Sequence, residues 1–155
     1  MIKDKVQINS YQEVYKEELK AINYEWIDTY FEITPLDKKF FDNPTKEIIE
    51  KGGYIYLAFF DGEVVGSIGL ERINDKEYAL TKMGVKPNYQ GKKIGSLLME
   101  KALQQASELN LKSLVLYTNQ ELIGAVNLYI KYGFRFVKLD YTPFKRATVK
   151  MQLML

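Results

Sequence analysis

The stretch Val85-Lys86-Pro87-Asn88-Tyr89-Gln90-Gly91-Lys92-Lys93-Ile94-Gly95-Ser96 decides how the rest of the chain is read. It joins a strand-like run to a helix-like one. The glycines at 91 and 95 permit a sharp turn and a close approach of the main chain to a ligand. The first turn of the following helix offers unpaired N–H groups and the positive end of a dipole. Residues Gln90, Gly91, Lys92, Lys93, Ile94, Gly95 and Ser96 thus make an anion site suited to a pyrophosphate. Lys92 and Lys93 can add charge at its rim. No Gly-Lys-Ser/Thr closes the segment, so it is not a P-loop. The glycine spacing, and the hairpin that precedes it, also exclude a dinucleotide fingerprint. On these residues alone, a loop with two glycines and two solvated lysines is an equal reading.

Upstream, three runs read as strands. Tyr54–Phe60 is aromatic and aliphatic, Asp61-Gly62 is a hairpin turn, Glu63–Ile73 returns, and Glu77–Val85 follows a second short turn. Short turns predict antiparallel pairing in sequence order. Before them, Ser10 and Glu13 have the spacing of a capping box at the head of a helix over 11–30, marked by Tyr15, Leu19, Ile22, Trp26 and Tyr30. Pro35 stops that helix, and Asn43-Pro44 opens a short one that ends at Gly52-Gly53. Downstream, a helix over 94–109 and a strand over 114–118 complete a βαβ unit, which predicts parallel pairing. A helix over 122–132, then strands near 134–139 and 148–153, finish the chain. The fold class is α+β: a mixed sheet, antiparallel at first, with helices on its faces. No linker or repeat interrupts the 155 residues, so a single domain is expected.

Composition narrows the chemistry. Cys and His are both absent, so a thiolate nucleophile, a Ser-His-Asp triad and the commonest metal sites are unavailable, and no metal is expected. A net charge of +2 gives no argument for nucleic acid or an anionic membrane. No apolar run reaches the ~20 residues of a membrane span, and residues 1–5 carry no leader-like stretch. A cytoplasmic location is the default expectation.

The segment Lys82–Met99 closely resembles the acetyl-CoA motif of the GNAT (GCN5-related N-acetyltransferase) superfamily, written Gln/Arg, any two, Gly, any, Gly/Ala. Gln90 and Gly95 match, Gly91 is common at its position, and Lys93 stands where the middle glycine is usual. Binding is expected to survive that departure with altered affinity, the side chain turned away while its N–H faces inward. Ala125–Phe134 resembles the closing helix and its Leu-Tyr…Gly-Phe signature, as Leu128-Tyr129…Gly133-Phe134. The likeness covers about Tyr54–Leu139.

The resemblance implies direct acetyl transfer from acetyl-CoA to an amine in a ternary complex, with no acyl-enzyme. It assigns the pyrophosphate to the turn, the pantetheine and thioester oxygen to main-chain groups at Met83, Gly84 and Val85, and protonation of the leaving thiolate to Tyr129. Tyr129 also reads simply as a packed helix residue. Where many relatives carry a glutamate base, the register places Ala79. Glu77, two residues earlier on the same strand face, and Glu71 on the preceding strand are candidate bases, each equally a solvated charge. Relatives often have an Asn seven residues before the tyrosine, and here that residue is Leu122. Asn119 can take over that coenzyme contact or cap a helix. Asn127 can face the pantetheine arm or water. Of Tyr24, Trp26, Tyr30, Phe31, Phe40 and Phe41, most are expected in the core or a homodimer contact, and one or two in the acceptor site. No basic cluster signals an acidic acceptor, and no acidic cluster signals a polyamine. The alternatives are a non-catalytic acyl-CoA sensor, encouraged by Ala79, and a nucleic-acid-binding α+β domain, which the near-balanced charge opposes.

Overall fold

Asp61 and Gly62 both adopt positive φ, +52° and +86°, as a two-residue hairpin turn requires. They set the register of β2 (Tyr54–Phe60) against β3 (Glu63–Arg72), which pairs Phe60 with Glu63. The computed structural model describes residues 5–155; residues 1–4, read above as free of a leader, lie outside the described residues. Around the hairpin runs a seven-stranded sheet in the order β1-β2-β3-β4-β5-β7-β6. Its other strands are β1 (Val6–Ser10), β4 (Glu77–Val85), β5 (Ser113–Thr118), β6 (Arg135–Val137) and β7 (Val149–Met154). All neighbours are antiparallel except β4 and β5, whose parallel pairing follows from the intervening helix α3 (Ile94–Glu108).

Helices cover both faces. On one side, α1 (Lys16–Tyr30) and α2 (Pro35–Asp42) bury Leu19, Ile22, Ile27 and Phe41 against Leu57, Phe59 and Val64. On the other, α3 and α4 (Ile123–Lys131) bury Leu98, Met99, Ala102 and Val126 against Ile68, Leu70 and Leu80. Each such aliphatic side chain contributes roughly 1.5–3 kcal/mol. No helix among the described residues is long and apolar enough to cross a membrane.

The N-terminal part differs from the sequence reading. Ser10 caps no helix: it ends β1, whose short polar sequence buries little and so carries no alternation signal. Glu13 opens a 3-10 turn at Glu13–Tyr15, and α1 begins only at Lys16, without a side-chain cap. Pro35 does not merely stop α1. It is the first residue of α2, whose Thr34 and Asp37 form the capping box: Asp37 N–H donates to Thr34 Oγ1 at 3.2 Å, and Thr34 N–H to Asp37 Oδ2 at 2.9 Å. The segment after Pro44 is a π-helical turn, Thr45–Ile49.

Asp37 is also the buried anchor of the loop 138–148. Its side chain is 1% exposed, and Arg146 donates to Oδ1 at 2.6 Å and to Oδ2 at 2.8 Å. Burial alone would raise this carboxyl, but the Arg146 and Thr34 bonds outweigh it and hold it below the ordinary value. Removing the cation leaves a buried carboxylate half-partnered. Arg146→Ala is therefore expected to lower unfolding free energy by about 3 kcal/mol in urea melts at neutral pH. A carboxyl with a depressed native pKa stabilises above its unfolded value near ~4 and loses that contribution as pH falls through the native one. Asp37→Asn should accordingly be least stable relative to wild type at neutral pH, with the gap narrowing in acid. A constant gap would assign the effect to shape rather than charge.

Candidate active site

β4 and β5 pair only at their starts, through Glu77–Ser113, Tyr78–Leu114 and Ala79–Val115. Beyond Ala79 the strands part. β4 stays on β3 as far as Val85, and β5 stays on β7 as far as Thr118. A V-shaped cleft opens toward their C-terminal ends, the usual ligand side of such a crossover.

A bulge in β4 accompanies the parting. Ser67 pairs with Gly84 and Gly69 with Thr81, so Lys82 and Met83 together oppose Ile68. Lys82 takes φ +53° there. The bulge is clamped from α1: Asn23 Nδ2 donates to Ser67 Oγ at 3.0 Å, and Ser67 Oγ donates to the Lys82 carbonyl at 2.6 Å. Trp26 Nε1 in turn donates to Asn23 Oδ1 at 3.2 Å. Asn23 and Ser67 are fully buried. Peptide bonds among the described residues are trans, so a Lys82 carbonyl held toward Ser67 points the Met83 N–H the other way. Lys86 N–H donates to Val65 on β3, and strand alternation likewise turns the N–H groups of Val85 and Met83 to the β5 side. The cleft wall at Met83–Val85 thus presents main-chain donors.

At the mouth stands the turn. Gly91 has φ +80°, Lys93 has φ +64°, and α3 starts at Ile94 without a side-chain cap. Among the described residues, the backbone N–H groups of Gly91, Lys92, Lys93, Ile94, Gly95 and Ser96 donate to no backbone or side-chain acceptor; the first paired one is Leu97, to Lys93. Gln90 Nε2 donates to the Val85 carbonyl at 3.1 Å and fixes the approach. A Cβ on Gly95 would stand 3.4 Å from both Met83 and Leu128, which places α3, β4 and α4 side by side at this point. Unpaired donors at a helix start form an anion cradle.

The other expected residues divide. Tyr129 lies on α4 with its ring against Phe134 at 6.0 Å. Burial alone pushes its hydroxyl up to about 12, with no hydrogen bond contributing, so it is a protonated donor at neutral pH. Glu77 is not at the cleft mouth. It begins β4, about 16 Å of strand from the bulge, and accepts hydrogen bonds from Ser113 Oγ at 2.6 Å and Gln152 Nε2 at 3.2 Å. Glu71 pairs directly with Ala79, half-buried on the α1–α2 side of the sheet. Asn119 spends its side chain on the Arg146 carbonyl at 2.9 Å and the Glu121 N–H at 2.8 Å, as a loop clamp. Asn127 is exposed on α4.

Sequence reading passed over Lys82, Asp37 and Arg146. Lys82 Nζ sits 4.3 Å from the centroid of the Phe40 ring, 5.3 Å from Phe41 and 5.6 Å from Phe144. Burial pulls its ammonium down to about 8, opposed by the charges of Glu71 and Asp37 and reinforced by Arg146. The aromatic positions offered no signal of this, because the cage joins α2, β4 and the loop 138–148. Tyr24 and Phe41 pack edge to face, and Tyr30 is exposed.

An α+β sheet split at one parallel pair, with unpaired main-chain donors at the open end, has the shape and polarity for an extended anionic ligand. Residues 11–134 match the family model described as the acetyltransferase (GNAT) family. The chain belongs to that family and is an acyltransferase, an N-acetyltransferase by activity. It is 27% identical over 107 residues to the uncharacterized N-acetyltransferase YvbK of Bacillus subtilis, covering 67% of this chain and 69% of that one. A GNAT-family acetyltransferase of Staphylococcus aureus superposes with a TM-score of 0.87 at 28% identity, over 95% of this chain and 97% of that one. The PaiA N-acetyltransferase of Thermoplasma acidophilum, solved in complex with coenzyme A, shares the fold at a TM-score of 0.79 and 20% identity, over 97% and 99% of the two chains. All three are named as transferases rather than sensors.

The unpaired donors of this turn belong to the main chain and not to the lysine side chain. Lys93 is exposed and left-handed, a conformation that costs a non-glycine residue roughly 1 kcal/mol. Lys93→Gly is expected to raise stability by up to about 1 kcal/mol and to weaken CoA binding by less than about fivefold, the worth of an exposed ion pair. Calorimetric titration checks both; a loss well beyond tenfold would assign the anion to the ammonium instead.

Proposed function

We propose that this enzyme takes acetyl-CoA as its donor and transfers the acetyl group to a primary amine of a small molecule or peptide by direct attack. The observation that carries the reading is the run of unpaired N–H groups from Gly91 to Ser96 at the open end of the β4–β5 split. That run suits the pyrophosphate, and the split suits the pantetheine arm. The Met83 N–H, turned into the split by the Ser67 clamp, suits the thioester carbonyl oxygen as negative charge develops there. The amine attacks the carbonyl carbon, the C–S bond breaks, and the CoA thiolate takes a proton. Tyr129 is the donor for that proton: it is neutral, uncommitted and on the helix that borders the split. With no Cys or His, direct attack needs no acyl-enzyme.

Glu71 is the carboxylate that stands across from Ala79, and it can relay the amine proton through water. Glu77, held by Ser113 and Gln152, serves the closed end of the split instead.

A thiol-release assay with an amine panel tests the reaction, and titration with acetyl-CoA tests the binding. Tyr129→Phe is expected to lower kcat roughly 10–100-fold while the dissociation constant for CoA stays within about twofold. Undiminished turnover in that variant would remove Tyr129 from the reaction.

A further inference from the structure

Lys82, Asp37 and Arg146 meet on the face of β4 that looks toward α1 and α2, beside the bulge that holds Met83. Their hydrogen-bonding capacity is lopsided. Asp37 accepts four bonds, two from Arg146 and two from Thr34, three of them at Oδ2 and one at Oδ1, so most of its accepting capacity is used. Arg146 commits two of its donors there and keeps the remaining N–H groups free of side-chain partners among the described residues. Lys82 donates once, to Thr81 Oγ1 at 3.2 Å, and otherwise faces the rings of Phe40, Phe41 and Phe144. Trp26 has already given its N–H to Asn23. The spare capacity of this cluster is therefore mostly donor. A nine-tenths-buried ammonium without a carboxylate in contact is costly to keep unless something anionic visits it.

We infer that the amine acceptor carries a carboxylate, which Lys82 binds with help from the outward donors of Arg146, so that the substrates are amino acids rather than simple amines. The inference rests on the acetyl-transfer reading above. A carboxylate matches the unmet contact: Asp37 is bonded to Arg146, Glu71 acts on Lys82 only at a distance, and neither carboxylate touches the ammonium. The flat apolar walls of Phe40, Phe144 and Trp26 suit the body of such a substrate, and the Arg146 guanidinium, 4.6 Å from the Phe144 centroid, is held at the rim. The basic cluster is invisible in sequence because its two cations are distant along the chain.

The test compares kcat/KM for α- and ω-amino acids with the amines left when their carboxyl is removed, and with O-phosphoethanolamine. The amino acid of at least one pair is expected to exceed its amine about tenfold or more, the worth of one charged hydrogen bond. Lys82→Met keeps the length and suits the cage. It should cut kcat/KM for that amino acid about tenfold more than for its amine, through KM, with CoA affinity unchanged. Near pH 8, where Lys82 is half neutral, an anion beside it draws in a proton. Glu71 on β3, Asp37 on α2 and Arg146 in the loop are the other charges facing it. Amino-acid binding to the CoA-loaded enzyme should thus show a buffer-dependent heat that Lys82→Met abolishes. A preference for amines or for the phosphate, equal losses on both members of a pair, or no binding and no transfer of any amino acid would each overturn the inference. Failure of the wild type to bind acetyl-CoA would instead sink the acetyl-transfer reading, and this inference with it.

Discussion

The hydrogen bond from Ser67 to the Lys82 carbonyl governs this active site. It holds one extra residue in β4, and three consequences follow from that residue. The strand turns its donors away from β3 and into the split. Lys82, whose neighbour Leu80 faces α3, swings to the opposite face of the sheet. Gly84 then comes to lie under Trp26, where a Cβ would approach the indole to 3.0 Å. A regular strand could not do all three, since strict alternation would put Lys82 in the α3-side core with Leu80. Asn23 is the keystone of the clamp because it is fully buried and bonds to Leu19, Ser67 and Trp26 together.

The cradle at Gly91–Ser96 depends on the same strand end. Gln90 ties the turn back to the Val85 carbonyl, so the direction of β4 as it leaves the bulge aims the first turn of α3. Gly91 and Lys93 then supply the two left-handed positions that leave six successive N–H groups unpaired. A lysine at the second of these is tolerated because its N–H, which is all the anion requires, is unaffected by the side chain.

What was legible in the sequence was what local chemistry decides. Asp61-Gly62, the apolar run Tyr54–Phe60 and the Ile94–Leu98–Ala102 spacing each specify an element through its own residues. The glycine-bearing turn that opens α3 belongs to this group. β1 was hidden because an edge strand needs little apolar content, and α2 because Pro35 signals a stop and a start with equal force. The bulge, the Asn23–Ser67 clamp and the Lys82 cage were hidden for a different reason. Each is made by residues from two or three separate elements, and no spacing rule links them.

The absent carboxylate at position 79 and the cationic pocket fit one electrostatic scheme. An attacking amine must be neutral, and a carboxylate base is one way to make it so. A cation beside the acceptor is another, because nearby positive charge lowers the pKa of an ammonium and favours its free-base form. That strategy repels a simple amine in its protonated state, so it requires a compensating attraction elsewhere on the substrate. A carboxylate bound at Lys82 provides it: the zwitterion is drawn in by its negative end while its positive end is held where losing a proton is easiest. Ala79 then leaves the room, and Glu71 across the ladder the acceptor, for that proton to depart.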